Sequence, residues 1–233
     1  MNISIRENIH LGDKLVSLLL AYNIYLAEKV KINLTCCSLL ASSINHLGMQ
    51  HAFNVTVGKI YAANKSISDL IPQLSGTNLI FLNQKILTTK NNYKVAKIEL
   101  PQIEVTTNNT TTFQVDARSF NSCKKEIPMA QLQKFILKHS RYPLIGIGGP
   151  DTKKYKNFNY QLGDLCSSIG HIKRCNQFVG VDSGMSHIAG ILNKKSDIII
   201  TYSNLKDVND IMAFYNFFYP NVKCFPRQEI KIF

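Results

Sequence analysis

The chain has 233 residues, 45% hydrophobic and 18% charged, with a formal net charge of +12. That length and balance exclude intrinsic disorder and leave room for one domain or two small lobes. No window approaches the roughly 20 apolar residues of a membrane span, and the six cysteines make no paired Cys-x-x-Cys or Cys/His zinc spacing, which argues against a structural metal.

The amino terminus carries Glu7, His10 and Asp13 where a secretory peptide needs an uninterrupted apolar run. The expected compartment is therefore the reducing cytoplasm, with reduced cysteines. Sequons such as Asn33-Leu-Thr35 carry no meaning there. The positive excess leans towards the carboxy-terminal half and favours anionic partners: a nucleotide diphosphate, nucleic acid or an acidic membrane surface. Its lysines come as scattered pairs without interleaved aromatics, the pattern of a solvated basic surface rather than a single-strand platform.

In chain order, residues 3–5 read as a strand, 13–29 as a helix with apolar residues at Leu15, Leu18, Leu19, Tyr22 and Leu26, and 30–37 as a strand. Strand-like segments recur at 53–63, 78–82 and 93–105. The run Val105-Thr-Thr-Asn-Asn-Thr-Thr-Thr112 has no apolar period and reads as a linker, so the expected lobes are 1–108 and 109–233. After it come a strand at 112–116, a helix at 129–139, a strand at 143–147 ending in Gly148-Gly149, and a helix at 162–173. A short strand at 178–181, a helix at 186–192, a strand at 197–202 and a helix at 206–217 complete the pattern. Alternation at this spacing predicts α/β architecture with parallel sheets and crossover helices, two Rossmann-like lobes around a ligand cleft.

One turn stands out. The apolar strand Phe178-Val-Gly-Val181 runs into Asp182-Ser-Gly-Met-Ser-His187 and an apolar helix, which puts Ser183 and Gly184 at a sheet's carboxyl edge. Small residues there leave backbone N–H groups open, and the following helix adds its positive end. Two roles stay open on physical grounds: a helix cap made by Asp182 or Ser183, or a cradle for a phosphate. His187 is either a ligand to that phosphate or a helix histidine packed beneath the turn. Asp13, at a helix amino terminus, reads on the residues alone as a cap and dipole partner. Gly146-Ile-Gly-Gly149 lacks the full dinucleotide fingerprint, and His46 and His51 lack a carboxylate pattern for metal. The aromatic cluster 214–219 reads as helix core and packing between lobes.

Asp182-Ser-Gly-x-x-His187-x-Ala189 after a short apolar strand resembles the signature of glycosyltransferase family 9, the lipopolysaccharide heptosyltransferase family. Upstream, Val115-Asp-Ala-Arg-Ser119 followed by Lys125-Glu-Ile-Pro128 is similar to that family's strand, small-residue turn and Lys-x-Trp-Pro segment, with Ile127 where Trp is usual. Gly12-Asp13 stands where the family carries its Gly-Asp motif, although the Pro common further into that helix is absent. The resemblance covers residues 112–203 most fully. It implies a GT-B arrangement with a reduced amino-terminal lobe for the acceptor, and transfer of a sugar, heptose by family habit, from a nucleotide diphosphate donor. By the same resemblance Asp13 is the base, and Gly12, Ser119, Lys125, Asp182, Ser183, Gly184 and His187 bind the donor, with Arg118 assisting Lys125. Neither a metal nor a cofactor beyond the co-substrate is expected. The acceptor stays open among lipopolysaccharide core, protein and nucleic acid, with peripheral attachment at the inner membrane face as an expectation. A second reading, motivated by the short first lobe, is a non-catalytic nucleotide- or nucleic-acid-binding protein of this fold.

Overall fold

The computed structural model describes residues 2–5, 10–58, 98–114, 129–150, 152, 157–202 and 205–230. The chain divides into two compact units, Met1–Ile103 and Glu104–Phe233, a few residues before the boundary drawn from the sequence.

In the first unit, β1 (Asn2–Ser4), β2 (Ile32–Cys36) and β3 (Phe53–Val57) pair in parallel in the order β1-β2-β3. Helix α1 (Leu11–Glu28) connects the first two strands and α2 (Ser38–His46) leads towards the third. Parallel neighbours need such crossovers, because a hairpin can join only antiparallel strands. From Lys14 to Ile24 every residue of α1 is buried, the signature of a helix enclosed on all sides. Lys14, Ser17 and Asn23 are the buried polar residues of that run, and the Asn23 amide makes three hydrogen bonds. Its Nδ2 donates to Leu19 O and Glu99 O, and its Oδ1 accepts from Glu99 N at 2.7 Å. Those bonds tie residues 98–100 to the helix in irregular conformation. The strand expected at 93–105 is thus absent over 98–105: Glu99 spends its amide on a side chain, and Pro101 has none to offer. An asparagine ladder, Asn54 to Asn33 to Asn2, crosses all three strands at one register position and fixes their alignment.

The second unit is built from β4 (Asn108–Gln114), α3 (Met129–His139), β5 (Leu144–Gly148), β6 (Asn159–Leu162), α4 (Leu165–Arg174), β7 (Cys175–Val181), α5 (Gly184–Ile191), β8 (Lys195–Ile200), α6 (Leu205–Phe218), β9 (Val222–Pro226) and α7 (Arg227–Ile230). All six strands are parallel, in the order β6-β5-β4-β7-β8-β9. Phe113, Val179, Val181 and Ile199 project from one sheet face onto Leu132, Phe135 and Ile136 of α3.

Two expectations need correction here. The run at 105–112 is not wholly a linker, since β4 begins at Asn108. Thr110, Thr111 and Thr112 are β-branched and lie between β5 and β7, and Thr111 and Thr112 are buried, so packing on both sides overrides the polar character of the run. The helix expected from Leu162 begins at Leu165 instead, because Asp164 takes the N-cap and accepts a 2.8 Å bond from Ser167 N. The residues before it, Asn159–Leu162, form the edge strand β6.

Candidate functional site

Counted from the first strand of the second unit, its sheet order is 3-2-1-4-5-6, the doubly wound order of dinucleotide-binding sheets. The order reverses between β4 and β7. In such sheets ligands bind outside the carboxyl ends of the strands at that reversal, where the two flanking loops turn to opposite faces. The residues that end these strands are Gln114 on β4 and Val181 on β7, and Asp182-Ser183 follow Val181 directly.

The turn is held from several directions. Asp182 donates its amide to Ile199 O, extending the β7–β8 ladder by one rung, and its carboxylate accepts a 2.8 Å bond from the Tyr215 hydroxyl on α6. Burial, and then the Asp182 charge, holds the Tyr215 phenol well above its ordinary value, so Tyr215 is a donor at any physiological pH. Tyr219 is raised for the same two reasons, and Cys224 is pushed up to about 12. Ser186 donates to Val181 O from inside the first turn of α5.

Ser183 occupies the N-cap position of α5 in extended conformation, yet its side chain makes no cap bond. Its hydroxyl donates instead to Gln114 Oε1 at 2.7 Å, across the point where the strand order reverses. The side-chain cap that the sequence left open as a role for Ser183 is therefore not the one it plays. The amides of Gly184 and Met185, in the first turn, have no intrahelical acceptor, and the positive end of the helix dipole lies there. Half-buried Ser183, Gly184 and Met185 thus present a hydroxyl and N–H groups at one spot.

His187 stands one turn into α5. Its ring stacks on Tyr215 with centroids 5.1 Å apart, meets Phe214 edge-on, and its Nδ1 hydrogen-bonds the Tyr219 hydroxyl at 3.0 Å. The cluster 214–219 is accordingly core of the second unit that also braces the turn.

In the first unit, α1 begins at Leu11, so Gly12 and Asp13 lie within its first turn rather than before it. The preceding His10 supplies no side-chain cap, and the Asp13 carboxylate sits in the field of the helix's positive end. The next residue went unremarked in the sequence. Lys14 is only 8% exposed, beside the buried Cys36 thiol, which burial and then Cys37 push up to about 12 against the opposing pull of Lys14. A lysine inside an apolar helical run is the signal that could have found it. Arg118, Ser119 and Lys125 lie outside the described residues. Among the described residues no three His, Cys, Asp or Glu side chains gather to hold a metal ion, and no helix is long and apolar enough to cross a membrane.

No family model matches the chain, and no curated protein matches its sequence. Solved structures do match by fold. The ADP-heptose lipopolysaccharide heptosyltransferase II of E. coli superposes with a TM-score of 0.62 at 14% identity, covering 99% of this chain and 94% of that one. The chain has a heptosyltransferase-like fold. A glycosyltransferase of family 9 from Veillonella parvula gives 0.55 at 14% identity over 98% and 86% of the two chains. The E. coli heptosyltransferase WaaC, solved with ADP, gives 0.58 at 10% identity over 97% and 93%. At such identities the shared property is the heptosyltransferase-like, GT-B-type α/β fold.

Proposed function

We propose that the protein is a glycosyltransferase that moves a sugar from a nucleotide diphosphate donor to an acceptor hydroxyl. The observation that carries this reading is the turn Asp182-Ser183-Gly184 at the reversal of a 3-2-1-4-5-6 sheet, with a hydroxyl and helix amides presented together. The Gly184 and Met185 amides and the Ser183 hydroxyl face the donor diphosphate. Asp182 and His187, fixed by α6, keep that turn in place. Lys125 and Ser119 join them by resemblance to family 9.

In the transfer, the bond from the anomeric carbon to the diphosphate breaks with its electron pair passing to the diphosphate, and the acceptor oxygen bonds that carbon. Asp13 takes the acceptor's proton. Donors aimed at the leaving diphosphate act most strongly as its charge develops, so fixed amides and an ammonium suit the step without a metal. ADP is the nucleotide to test first, because a neighbour of this fold was solved with it, and heptose is the sugar to test first. Lipopolysaccharide core is the first acceptor to test, and the net charge of +12 supports approach to an acidic membrane surface.

A thermal-shift screen against ADP-, UDP-, GDP- and CDP-sugars tests the donor site. A rise in melting temperature with one nucleotide class is expected, and no response to any of them overturns the reading. Asp13→Ala is expected to lower transfer by about 100-fold or more while nucleotide affinity stays unchanged. Nucleotide binding without turnover in the unaltered protein would make it a binding protein of this fold.

A further inference from the structure

Every strand of the second unit's parallel sheet starts at one edge, opposite the Asp182 turn, so the residues that lead into the strands gather there whatever their distance in sequence. Four of these approaches are basic. Arg141 precedes β5, Lys173 and Arg174 end α4 before β7, Lys194 and Lys195 lead into β8, and Lys223 is the second residue of β9. The strand register draws them together: Lys195 pairs with Gln177 of β7, Lys223 pairs with Asp197 of β8, and the Arg141 amide donates to Gln177 Oε1. Lys194 Nζ donates to Cys175 O at 3.0 Å, and burial, then Lys173, pull its ammonium below the ordinary lysine range against the opposing Cys175 thiol. Against these six cations, residues 139–143, 171–176, 192–197 and 219–223 carry one carboxylate, Asp197, which already meets His139 and Gln177. Helix dipoles explain only part of the excess. Lys173 and Arg174 complement the negative end of α4, whereas Lys195 and Lys223 lie in strands and Arg141 in a loop. Two large apolar side chains are exposed at the same end: Leu137, 55% exposed in the last turn of α3, and Tyr142, 36% exposed in the loop that follows. Lysine pairs that are scattered in the sequence are thus collected at one edge and joined there by an aromatic and an aliphatic side chain.

We propose that this edge of the second unit is the face that docks on an anionic lipid bilayer. Such docking gives a location to the approach to an acidic surface proposed above, and does not depend on the donor turn. Lysine and arginine meet lipid phosphates there, while tyrosine and leucine enter the headgroup layer. A nucleic-acid strand rewards the cations and can stack on the tyrosine, but it has no use for an exposed leucine. The seven residues of β7 span about 20 Å, so lipid and nucleotide occupy opposite ends of one sheet and do not compete.

The test is co-sedimentation of the full chain with vesicles of phosphatidylcholine alone and of phosphatidylcholine with about 30% phosphatidylglycerol. Binding to the acidic vesicles only is expected. Lys195→Gln/Lys223→Gln is expected to weaken it about 30-fold, at about fivefold for each lysine near the surface. Lys29→Gln/Lys31→Gln removes the same charge from exposed positions of the first unit and is expected to leave binding nearly unchanged. Leu137→Ser/Tyr142→Ser is expected to weaken it with the charge untouched. Equal losses from the two lysine pairs, binding that ignores Leu137 and Tyr142, or no preference for the acidic vesicles overturns the proposal. A DNA duplex bound in preference to the acidic vesicles overturns it in favour of a nucleic-acid surface. Should removal of Lys223 from above the Phe225 ring lower the melting temperature, Lys195→Gln against Lys31→Gln decides alone. Vesicle binding without a thermal response to any nucleotide sugar fails the donor-site reading and leaves the docking face standing, and the reverse result does the opposite.

Discussion

Thr201 follows β8 with 2% exposure, and its hydroxyl oxygen is sealed from solvent with no hydrogen-bond partner among the described residues. An unsatisfied buried hydroxyl costs about 1–3 kcal/mol, while an apolar replacement of the same shape removes that cost. Thr201→Val is expected to raise the melting temperature by about 2–5 °C in a thermal melt. A lower melting temperature would mean that the hydroxyl is engaged after all. Gln177 provides the contrast. Its Oε1 accepts from Thr111 Oγ1 and Arg141 N, and its Nε2 donates to His139 O and Asp197 Oδ2, using all four of its capacities. Residues such as Asp182, Ser183 and Gly184 were legible because strand, small-residue turn and helix are contiguous in sequence. Gln114 and Tyr215, which fix that turn, were not, since they reach it from 69 and 33 positions away, Gln114 from Ser183 and Tyr215 from Asp182. Nothing in a one-dimensional pattern links an amide at the end of one strand to a hydroxyl at the end of another.

Between elements, the tightest constraint near the turn is the seam of α5 against α6. A Cβ at Gly190 would stand 2.4 Å from the Tyr219 ring, so the two helices approach only because this residue has no side chain. The approach matters to the site. It is what brings His187 to the Tyr219 hydroxyl and onto the Tyr215 ring, and Tyr215 to Asp182. Overpacking a seam of this kind costs about 1–3 kcal/mol. Gly190→Ala is therefore predicted to lower the midpoint of urea unfolding and, by shifting α5 from α6, to weaken nucleotide binding. An unchanged midpoint would show that α5 and α6 tolerate separation. The alternation of strand and helix in the second unit was legible from apolar runs of different length, and most of its elements fall within a few residues of expectation. The departures have a common cause. β4 begins in a polar threonine run, β6 is the half-buried edge strand Asn-Tyr-Gln-Leu, and β9 is five residues with a lysine and a proline, so none carries an apolar pattern of its own. Each is a strand because a neighbouring strand pairs with it.

Across the molecule, the division into Met1–Ile103 and Glu104–Phe233 separates the two ends of the proposed chemistry by unit: Asp13 belongs to the first and the Asp182 turn to the second. The groups proposed to face the donor, the Ser183 hydroxyl and the first amides of α5, come from one sheet edge, so the proposed nucleotide site draws its contacts from the second unit's own residues. Ligand that binds only the folded site slows the local openings through which amides exchange. Hydrogen exchange with saturating ADP is therefore expected to fall around 180–188 and 199–202, which share the β7–β8 carboxyl edge, while residues 11–36 of the first unit exchange at unchanged rates. An acceptor analogue carrying a free hydroxyl is expected to extend protection to the start of α1, because the proposed base lies in its first turn. Protection by ADP confined to the first unit would place the nucleotide there and reverse the assignment of donor and acceptor ends.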